Sequence, residues 1–301
     1  MTTELTVLAD GHPPAVEKRP RRGGLGPAGW VGVGLVGFIA GVTLLAPWLV
    51  GDPLAQDFTA ILKPPSAAHP FGTDELGRDV LTRVVYGGRT ALSITLVAAL
   101  VSATLGLALA LLGALFGGWS DQAASRLADV QLAIPAIVLA IVILSFVGNS
   151  FLPIVVVLVL GSWVLTFRVI RSQARSVIRQ PYIEAARVSG GGHRAIARRH
   201  LIPSVLPLWF VALTLSASSA LLLESGLGFL GLGVQPPQPD WGQMVAVGQS
   251  RLGTAPWLSF FPGLVLVITI VGFQLLGDGL ADRAQQGGAR RARRTRKATS
   301  R

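Results

Sequence analysis

The sequence predicts an all-α polytopic membrane protein with six transmembrane helices. Of the 301 residues, 51% are hydrophobic and only 14% are charged, whereas a soluble domain carries about a quarter charged residues. Six stretches approach the roughly 20 apolar residues that a helix needs to cross a bilayer. The lysines and arginines also concentrate in every second connection between these stretches, which is typical of a protein threaded repeatedly through a membrane.

The six predicted spans cover about residues 30–50, 90–117, 128–148, 151–170, 204–223 and 257–280. Asn149 and Ser150 alone separate the third span from the fourth, which predicts a tight hairpin. Pro135 and Pro153 fall near predicted helix starts, where a missing N–H costs little. The first span is too long for the apolar region of a signal peptide.

The basic residues predict the orientation of the spans. Most of the 26 lysines and arginines lie before the first span, in the connection 171–203 and after the sixth span. Because cytoplasmic connections are enriched in Lys and Arg, both termini are expected in the cytoplasm. The chain then divides into a basic N-terminal tail (1–28), a membrane domain (29–283) and a basic C-terminal tail (284–301).

Small residues form a ridge on the second span. They recur every fourth position, at Ala98, Ser102, Gly106, Ala110, Ala114 and Gly118. Helices in lipid associate through such close contacts, so the ridge predicts helix packing, although abundant alanine and glycine alone could produce it. Gly37 and Gly41 form a shorter ridge of the same kind on the first span.

The sequence contains few groups that could carry out catalysis. No histidine lies within a span, no cysteine is present, and none of the three lysines stands in a P-loop. We therefore expect no catalytic residue, cofactor site or metal site in this chain. The middles of the spans carry no ionisable residue, and Glu224 and Asp278 are expected at span ends within reach of water. Secondary transporters usually place ionisable groups near the midplane, so a partner is expected to supply the energy.

The cytoplasmic connection 171–203 is the most informative segment. Pro181 ends any helix that leaves the fourth span, and a short helix is predicted over residues 182–189. Glycines 190–192 permit a sharp reversal. These features predict a short helix that lies across the cytoplasmic end of the bundle. A partner protein that moves could displace such a helix. An interfacial helix held to anionic lipid by its arginines is the alternative.

This connection resembles the EAA motif of ABC importer permeases. The motif reads EAA, three residues, G, nine residues and I-x-L-P. The sequence keeps that spacing, with His200 in place of isoleucine and Ile202 in place of leucine. The resemblance implies a coupling helix that docks into an ATP-hydrolysing subunit. The residues that it implies for this coupling are Tyr182, Glu184, Ala185, Ala186, Gly190 and Pro203, with Glu184 contacting the ATPase, the alanines allowing close approach and Gly190 making the turn.

Three further segments, 69–92, 223–242 and 274–283, are similar to signatures of the C-type subunits of dipeptide, oligopeptide and nickel importers. In the last, Ala281 replaces the usual arginine. The apolar residues of the first fall on one helical face (Leu76, Val80, Leu81, Val84 and Val85), which predicts an amphipathic helix at the outer membrane interface. The resemblance implies that outer loops contact a binding protein, with Asp74, Arg78, Asp79, Pro236, Pro237 and Trp241 as the expected contact residues.

The resemblance implies the type I ABC importer (MetI-like) permease fold in a bacterial plasma membrane. The expected partners are a second homologous permease, two cytoplasmic ATPases that bind ATP and Mg, an extracytoplasmic peptide-binding protein and membrane lipid, but no nucleic acid. This chain would form half of the translocation path. Peptide is the predicted cargo, with nickel chelate, heme or another small solute as alternatives. The alternative function from another class of transport protein is a channel or secondary carrier that works without an ATPase. Four polar residues face either the pore or a neighbouring helix, namely Thr166, Ser216, Ser219 and Gln274.

Overall fold

The computed structural model describes residues 24–299, with side chains up to Ala284. Its α-helices are α1 (Pro27–Leu44), α2 (Ala46–Leu49), α3 (Val80–Phe116), α4 (Gly118–Ala133), α5 (Ala136–Val147), α6 (Phe151–Ile178), α7 (Pro181–Val188), α8 (His193–Ile196), α9 (Ile202–Phe229), α10 (Trp241–Gln249) and α11 (Trp257–Thr299). A turn of π-helix, Ala197–Leu201, joins α8 to α9. Most of the predicted N-terminal tail lies outside the described residues, and the backbone of α11 continues into the predicted C-terminal tail.

Five helical segments within the described residues are long and apolar enough to cross a membrane. They are Pro27–Leu44, Val80–Phe116, Phe151–Ile178, His193–Phe229 and Trp257–Ala284. The pair α4 and α5 makes a sixth candidate span, but the two helices are bent by 86°. The described residues therefore match the predicted all-α membrane architecture, with five long apolar helical segments and one bent pair of helices.

The third span differs from the straight helix predicted over residues 128–148. The bend lies at Ile134, which has an extended backbone, and at Pro135, which precedes α5. Proline lacks an N–H for the helical ladder and disfavours helical geometry in the residue before it. With 12 residues, α5 is about 18 Å long, which is too short to cross a hydrocarbon core of about 30 Å by itself.

The predicted amphipathic helix at the outer interface is instead the beginning of α3. Asp79 caps this helix by accepting a hydrogen bond from the Thr82 N–H at 2.8 Å. Val80 and Val84 are buried in a cluster with Met244 of α10, with Ala255 and with Leu258 of α11. Val80 and Val84 therefore pack on other parts of the chain, and the predicted amphipathic segment is the first part of a long span.

The ridge of small residues on α3 packs against α6. Ala98, Ser102, Gly106 and Ala110 are all buried. At Gly106 a Cβ atom would lie 2.8 Å from the Phe167 nitrogen and 2.8 Å from the Trp163 oxygen, so the two backbones approach as closely as glycine allows. The packing prediction is confirmed for α3, except that Gly118 already belongs to α4 and faces open space.

The first span uses different glycines from those predicted. A Cβ at Gly37 or Gly41 would meet nothing within 4 Å. Gly29 and Gly32 make the close approach instead, because a Cβ at Gly29 would lie 2.9 Å from the Cα of Gly279 on α11. The contact between α1 and α11 thus lies nearer the N-terminal end of α1 than predicted.

This packing predicts different outcomes for the same substitution at two glycines. Gly106→Ala places a methyl group against the backbone of α6 and is expected to cost about 1–3 kcal/mol, as overpacking of a tight core does. Gly37→Ala is the matched control, because its methyl group enters open space. Thermal unfolding of the purified protein in detergent measures both, and equal melting temperatures for the two variants would contradict the assigned packing.

Candidate functional site: the cytoplasmic coupling segment and the outer loops

Helix α7 follows directly from the end of α6. Pro181 occupies the first position of α7, where its fixed φ suits a helix start and its missing N–H costs nothing. Gln180 before it has an extended backbone, as residues preceding proline prefer. The break therefore lies where the sequence predicted it, and α7 is joined to the membrane-spanning α6 by only two residues, Arg179 and Gln180.

The two faces of α7 differ in character. Ile183 is fully buried in the cluster that also contains Val177, Ile196 and Leu201. On the rest of the surface, Glu184 and Ala185 are exposed. Tyr182 is 51% exposed and Val188 is 86% exposed. One large side chain thus fixes α7 to the bundle, while small and apolar groups beside a carboxylate remain accessible.

A Schellman motif ends α7. Gly190 adopts φ +85°, which is unfavourable for residues with a Cβ. Its N–H donates to the Arg187 oxygen at 3.0 Å, and the Gly191 N–H donates to the Ala186 oxygen at 2.9 Å. The motif requires glycine at position 190, which matches the turn that the sequence predicted there.

A groove of about 770 Å³ lies between α7 and the C-terminal end of α3. Its lining includes Glu184, two arginines (Arg179 and Arg187) and two aromatic rings, Phe116 and His193. The two rings stack with centroids 5.3 Å apart. Among the side chains that the structure describes, none forms an ion pair with Glu184. The groove therefore presents both signs of charge beside an apolar wall.

The connection back into the membrane contains the π-helical turn. Pro203 has no N–H to donate to the Arg199 carbonyl, so the regular α-helical ladder cannot continue through this point. Pro203 itself is exposed. His200, which departs from the usual motif, lies against Tyr182 with ring centroids 5.8 Å apart. This contact links α7 to the base of α9.

At the outer end, two of the expected contact residues build the loop before α3. Asp74 is buried and accepts hydrogen bonds from the Leu76 and Arg78 backbone nitrogens, both at 2.9 Å. It also forms an ion pair with Arg78 at 2.7 Å. Asp79 caps α3 and contacts His69 Nδ1 at 3.1 Å. Both carboxylates are thus occupied within the chain.

Trp241 is fully buried, and the expectation that it contacts a partner is corrected. Its Nε1 donates to the Val84 oxygen at 2.7 Å. Its ring lies against Gly87 and Gly88, where a larger residue would collide with it. Trp241 therefore holds α10 to α3. Of the other expected contact residues, Pro236 and Pro237 are exposed and Arg78 is half-buried.

Glu224 is buried rather than accessible to water, in contrast to the expectation from sequence. Its side chain is fully buried in α9, where Glu224 Oε2 accepts a hydrogen bond from the Ser225 hydroxyl at 3.2 Å. Asp240 caps α10 by accepting a hydrogen bond from the Gln243 N–H at 2.9 Å. Sequence reasoning missed the burial of Glu224, because hydropathy does not show which elements pack around a side chain. Asp278 is exposed, as expected.

The structure also distinguishes the four polar residues whose surroundings the sequence left open. Thr166 and Ser216 are buried and face each other between α6 and α9, with their hydroxyl oxygens 3.4 Å apart. Ser219 and Gln274 are exposed. The first pair therefore joins two helices, and the other two side chains face outward from this chain.

Residues 102–287 match the family model described as "Binding-protein-dependent transport system inner membrane component". The chain belongs to this family. It is a permease subunit of an ABC importer, and the family's members are permease subunits rather than enzymes. The permease chain is a multi-pass membrane protein, and the likeness to dipeptide and peptide permeases that the motifs indicated is confirmed.

Two curated relatives have similar lengths to the permease chain. The dipeptide transport system permease protein DppC of Alkalihalophilus pseudofirmus is 36% identical over 242 residues, which cover 80% of each chain. The probable D,D-dipeptide transport system permease protein DdpC of Escherichia coli is 37% identical over 240 residues, which cover 79% of this chain and 80% of that one.

A solved structure supports the fold. A chain from an inward-facing form of the MetNI methionine ABC transporter matches with a TM-score of 0.54 and 22% identity. The match covers 66% of the permease chain and 94% of the other. The predicted type I, MetI-like permease fold is therefore confirmed.

Proposed function

We propose that this permease subunit forms half of the translocation path of an ATP-driven importer of dipeptides or oligopeptides, and that α7 couples it to a cytoplasmic ATPase. The observation that carries the proposal is the construction of α7. It is a short helix anchored by Ile183, ended by a Schellman motif and exposed on the face that bears Glu184 and Ala185. Such a helix can fit into a partner's groove without rearranging the bundle.

The chemistry of α7 fits a protein partner better than a lipid surface. Exposed Tyr182 and Val188 offer apolar area, and Ala185 permits close backbone approach. Glu184 is an exposed carboxylate, which anionic lipid headgroups would repel. An ATPase groove with basic and apolar lining would satisfy all of these groups together.

The coupling would proceed by movement of packed elements. ATP, with Mg, binds to the partner ATPases, whose closure displaces α7. Because Ile183 packs with Val177 of α6 and with Leu201 at the base of α9, both helices receive that displacement. The bundle then switches between inward-facing and outward-facing states, and cargo passes between this subunit and a second, homologous permease.

The proposed cargo rests on the relatives, whose names specify dipeptide transport. An extracytoplasmic peptide-binding protein would deliver the cargo to the outer loops, where Pro236 and Pro237 are exposed. A nickel chelate is the alternative cargo within the same class of importer.

Glu184→Arg is expected to abolish docking, because it reverses the charge at the centre of the exposed face of α7. The ATPase should no longer co-purify with the tagged chain from its native membrane, and uptake of a labelled dipeptide into cells should be lost. Asp282→Arg, at an exposed position of α11, is the control and should retain both properties.

Recovery of the wild-type chain without any ATPase would contradict the coupling role. Normal ATPase recovery together with uptake of nickel chelate but not dipeptide would contradict only the proposed cargo.

Orientation can be tested directly, because the sequence contains no cysteine. A single cysteine is introduced at one of two exposed alanines, Ala67 in the outer loop or Ala195 after the coupling helix. With both termini in the cytoplasm, a membrane-impermeant maleimide should label Ala67→Cys in intact cells and Ala195→Cys only after permeabilisation. The reverse pattern would require the opposite orientation.

A further inference from the structure

An ion-paired carboxylate lies beneath the coupling segment, between α4 and α6. Asp121 is 6% exposed. Arg171 donates to both of its oxygens, from Nε to Oδ1 at 2.6 Å and from Nη2 to Oδ2 at 2.7 Å. Arg175 contributes a longer contact, 3.5 Å from its Nη1 to Oδ2. A two-pronged pair of this kind fixes the relative orientation of its helices as well as their separation.

Helix α4 has little else to hold it against α6. Of its 16 residues, Asp121 and Ala128 are the buried ones. Its large apolar side chains are exposed, namely Trp119, Leu127, Val130 and Leu132. Ala128 packs in the cluster that contains Trp163 and Phe167 of α6, but no large apolar side chain of α4 is buried. The paired carboxylate is therefore the polar contact best placed to define the position of α4.

The end of α3 is shaped to receive this carboxylate. Gly113 is buried, and a Cβ there would lie 2.9 Å from Asp121 Oδ1. Gly117 and Gly118, both with positive φ, then turn the chain sharply from α3 into α4. Asp121 is thus brought by a tight turn into a space that only a glycine at position 113 leaves open.

The pair connects the coupling helix to the bent third span. Arg171 lies seven residues before the end of α6 at Ile178, which corresponds to about 10 Å along the helix, and α7 begins three residues after that end. Asp121 lies on α4, which leads through the 86° bend into α5. The side chains of α5 that face inward, Ala140 and Leu144, pack in the cluster shared with α6 and α9.

We propose that Asp121 and Arg171 are positioning residues, which lock α4 to α6 so that displacement of α7 also moves the bent third span. The inference rests on the proposed coupling role of α7. It assigns a transmission contact inside the membrane subunit, away from the surface that meets the ATPase. Arg175 supports the pair from one helical turn further along α6.

A second ion pair between the same helices supplies a matched control. Arg168 Nη2 lies 2.8 Å from Asp129 Oδ1, but both side chains are about half exposed (52% and 55%). Exposed pairs contribute little, because water and salt screen them. Asp129→Asn should therefore leave coupling unchanged, although it removes a pair that also joins α4 and α6.

The test uses the complete importer, reconstituted in liposomes with its ATPase and binding protein. Accumulated labelled dipeptide is divided by phosphate released, for the wild type, Asp121→Asn, Arg171→Gln, the double variant and Asp129→Asn. Both single variants should keep the wild-type yield of co-purified ATPase and lose roughly fivefold or more in transport per ATP. The double variant should lose no more than either single one, because the residues act as a unit. Arg171→Lys keeps the positive charge but lacks the paired guanidinium nitrogens that bind both oxygens of Asp121. This variant should recover part of the transport per ATP that Arg171→Gln loses.

Three results would overturn the inference. One is a wild-type ratio of transported dipeptide to released phosphate in Asp121→Asn or Arg171→Gln. Another is a decrease in this ratio that is no larger than the decrease caused by Asp129→Asn. The third is failure of both single variants to assemble with the ATPase, which would make the pair a requirement for folding rather than for transmission. A wild-type chain that recovers no ATPase would instead refute the coupling role of α7 itself, and this inference with it.

Discussion

The close approach of α3 and α6 at Gly106 determines where the rest of this permease subunit can lie. Lipid provides no hydrophobic drive for helices to associate, so backbone proximity and dense packing hold them together. Because α6 is fixed along the small-residue ridge of α3, its C-terminal end has a defined position. That position places α7 at the base of the bundle and brings Arg171 to Asp121.

The coupling segment combines local and tertiary constraints. Pro181 and Gly190 set the two ends of α7 through backbone chemistry that depends on neighbouring residues alone. Ile183 then attaches the helix to the side chains of α6 and of the π-helical turn. A short helix with defined ends and one buried anchor can move as a unit with α6 and α9, as the transmission of a push requires.

The features that the sequence predicted well are those that depend on local pattern. Apolar stretches located the spans, and proline and glycine located the limits of α7. The bend in the third span is different. Pro135 and Pro153 were both predicted near helix starts. Pro135 instead lies at the 86° bend between α4 and α5, whereas Pro153 lies within the first turn of α6. What surrounds each proline in three dimensions decides between these outcomes.

The errors at the outer end have the same origin. Trp241 lies in a segment that resembles a family signature, but its indole hydrogen bond reaches Val84, 157 positions away in the sequence. Glu224 is fully buried where the start of α10 packs against the end of α9, with Gly242 against the Ser225 backbone. The sequence does not indicate that Asp121 is paired, because its partner Arg171 is 50 residues away. Arg171 belongs to the basic connection whose arginines predicted the orientation. Hydropathy and motif spacing contain no information about such distant contacts.

The central claim is that the exposed face of α7 contacts an ATPase, and photo-crosslinking tests it most directly. A photoreactive phenylalanine analogue is incorporated at Val188 on α7 or at Phe146 on α5, which are equally exposed (86% and 87%). Irradiation of native membranes should join the chain to a P-loop ATPase from position 188 and not from position 146. No ATPase adduct from position 188, or equal adducts from both positions, would contradict the claim.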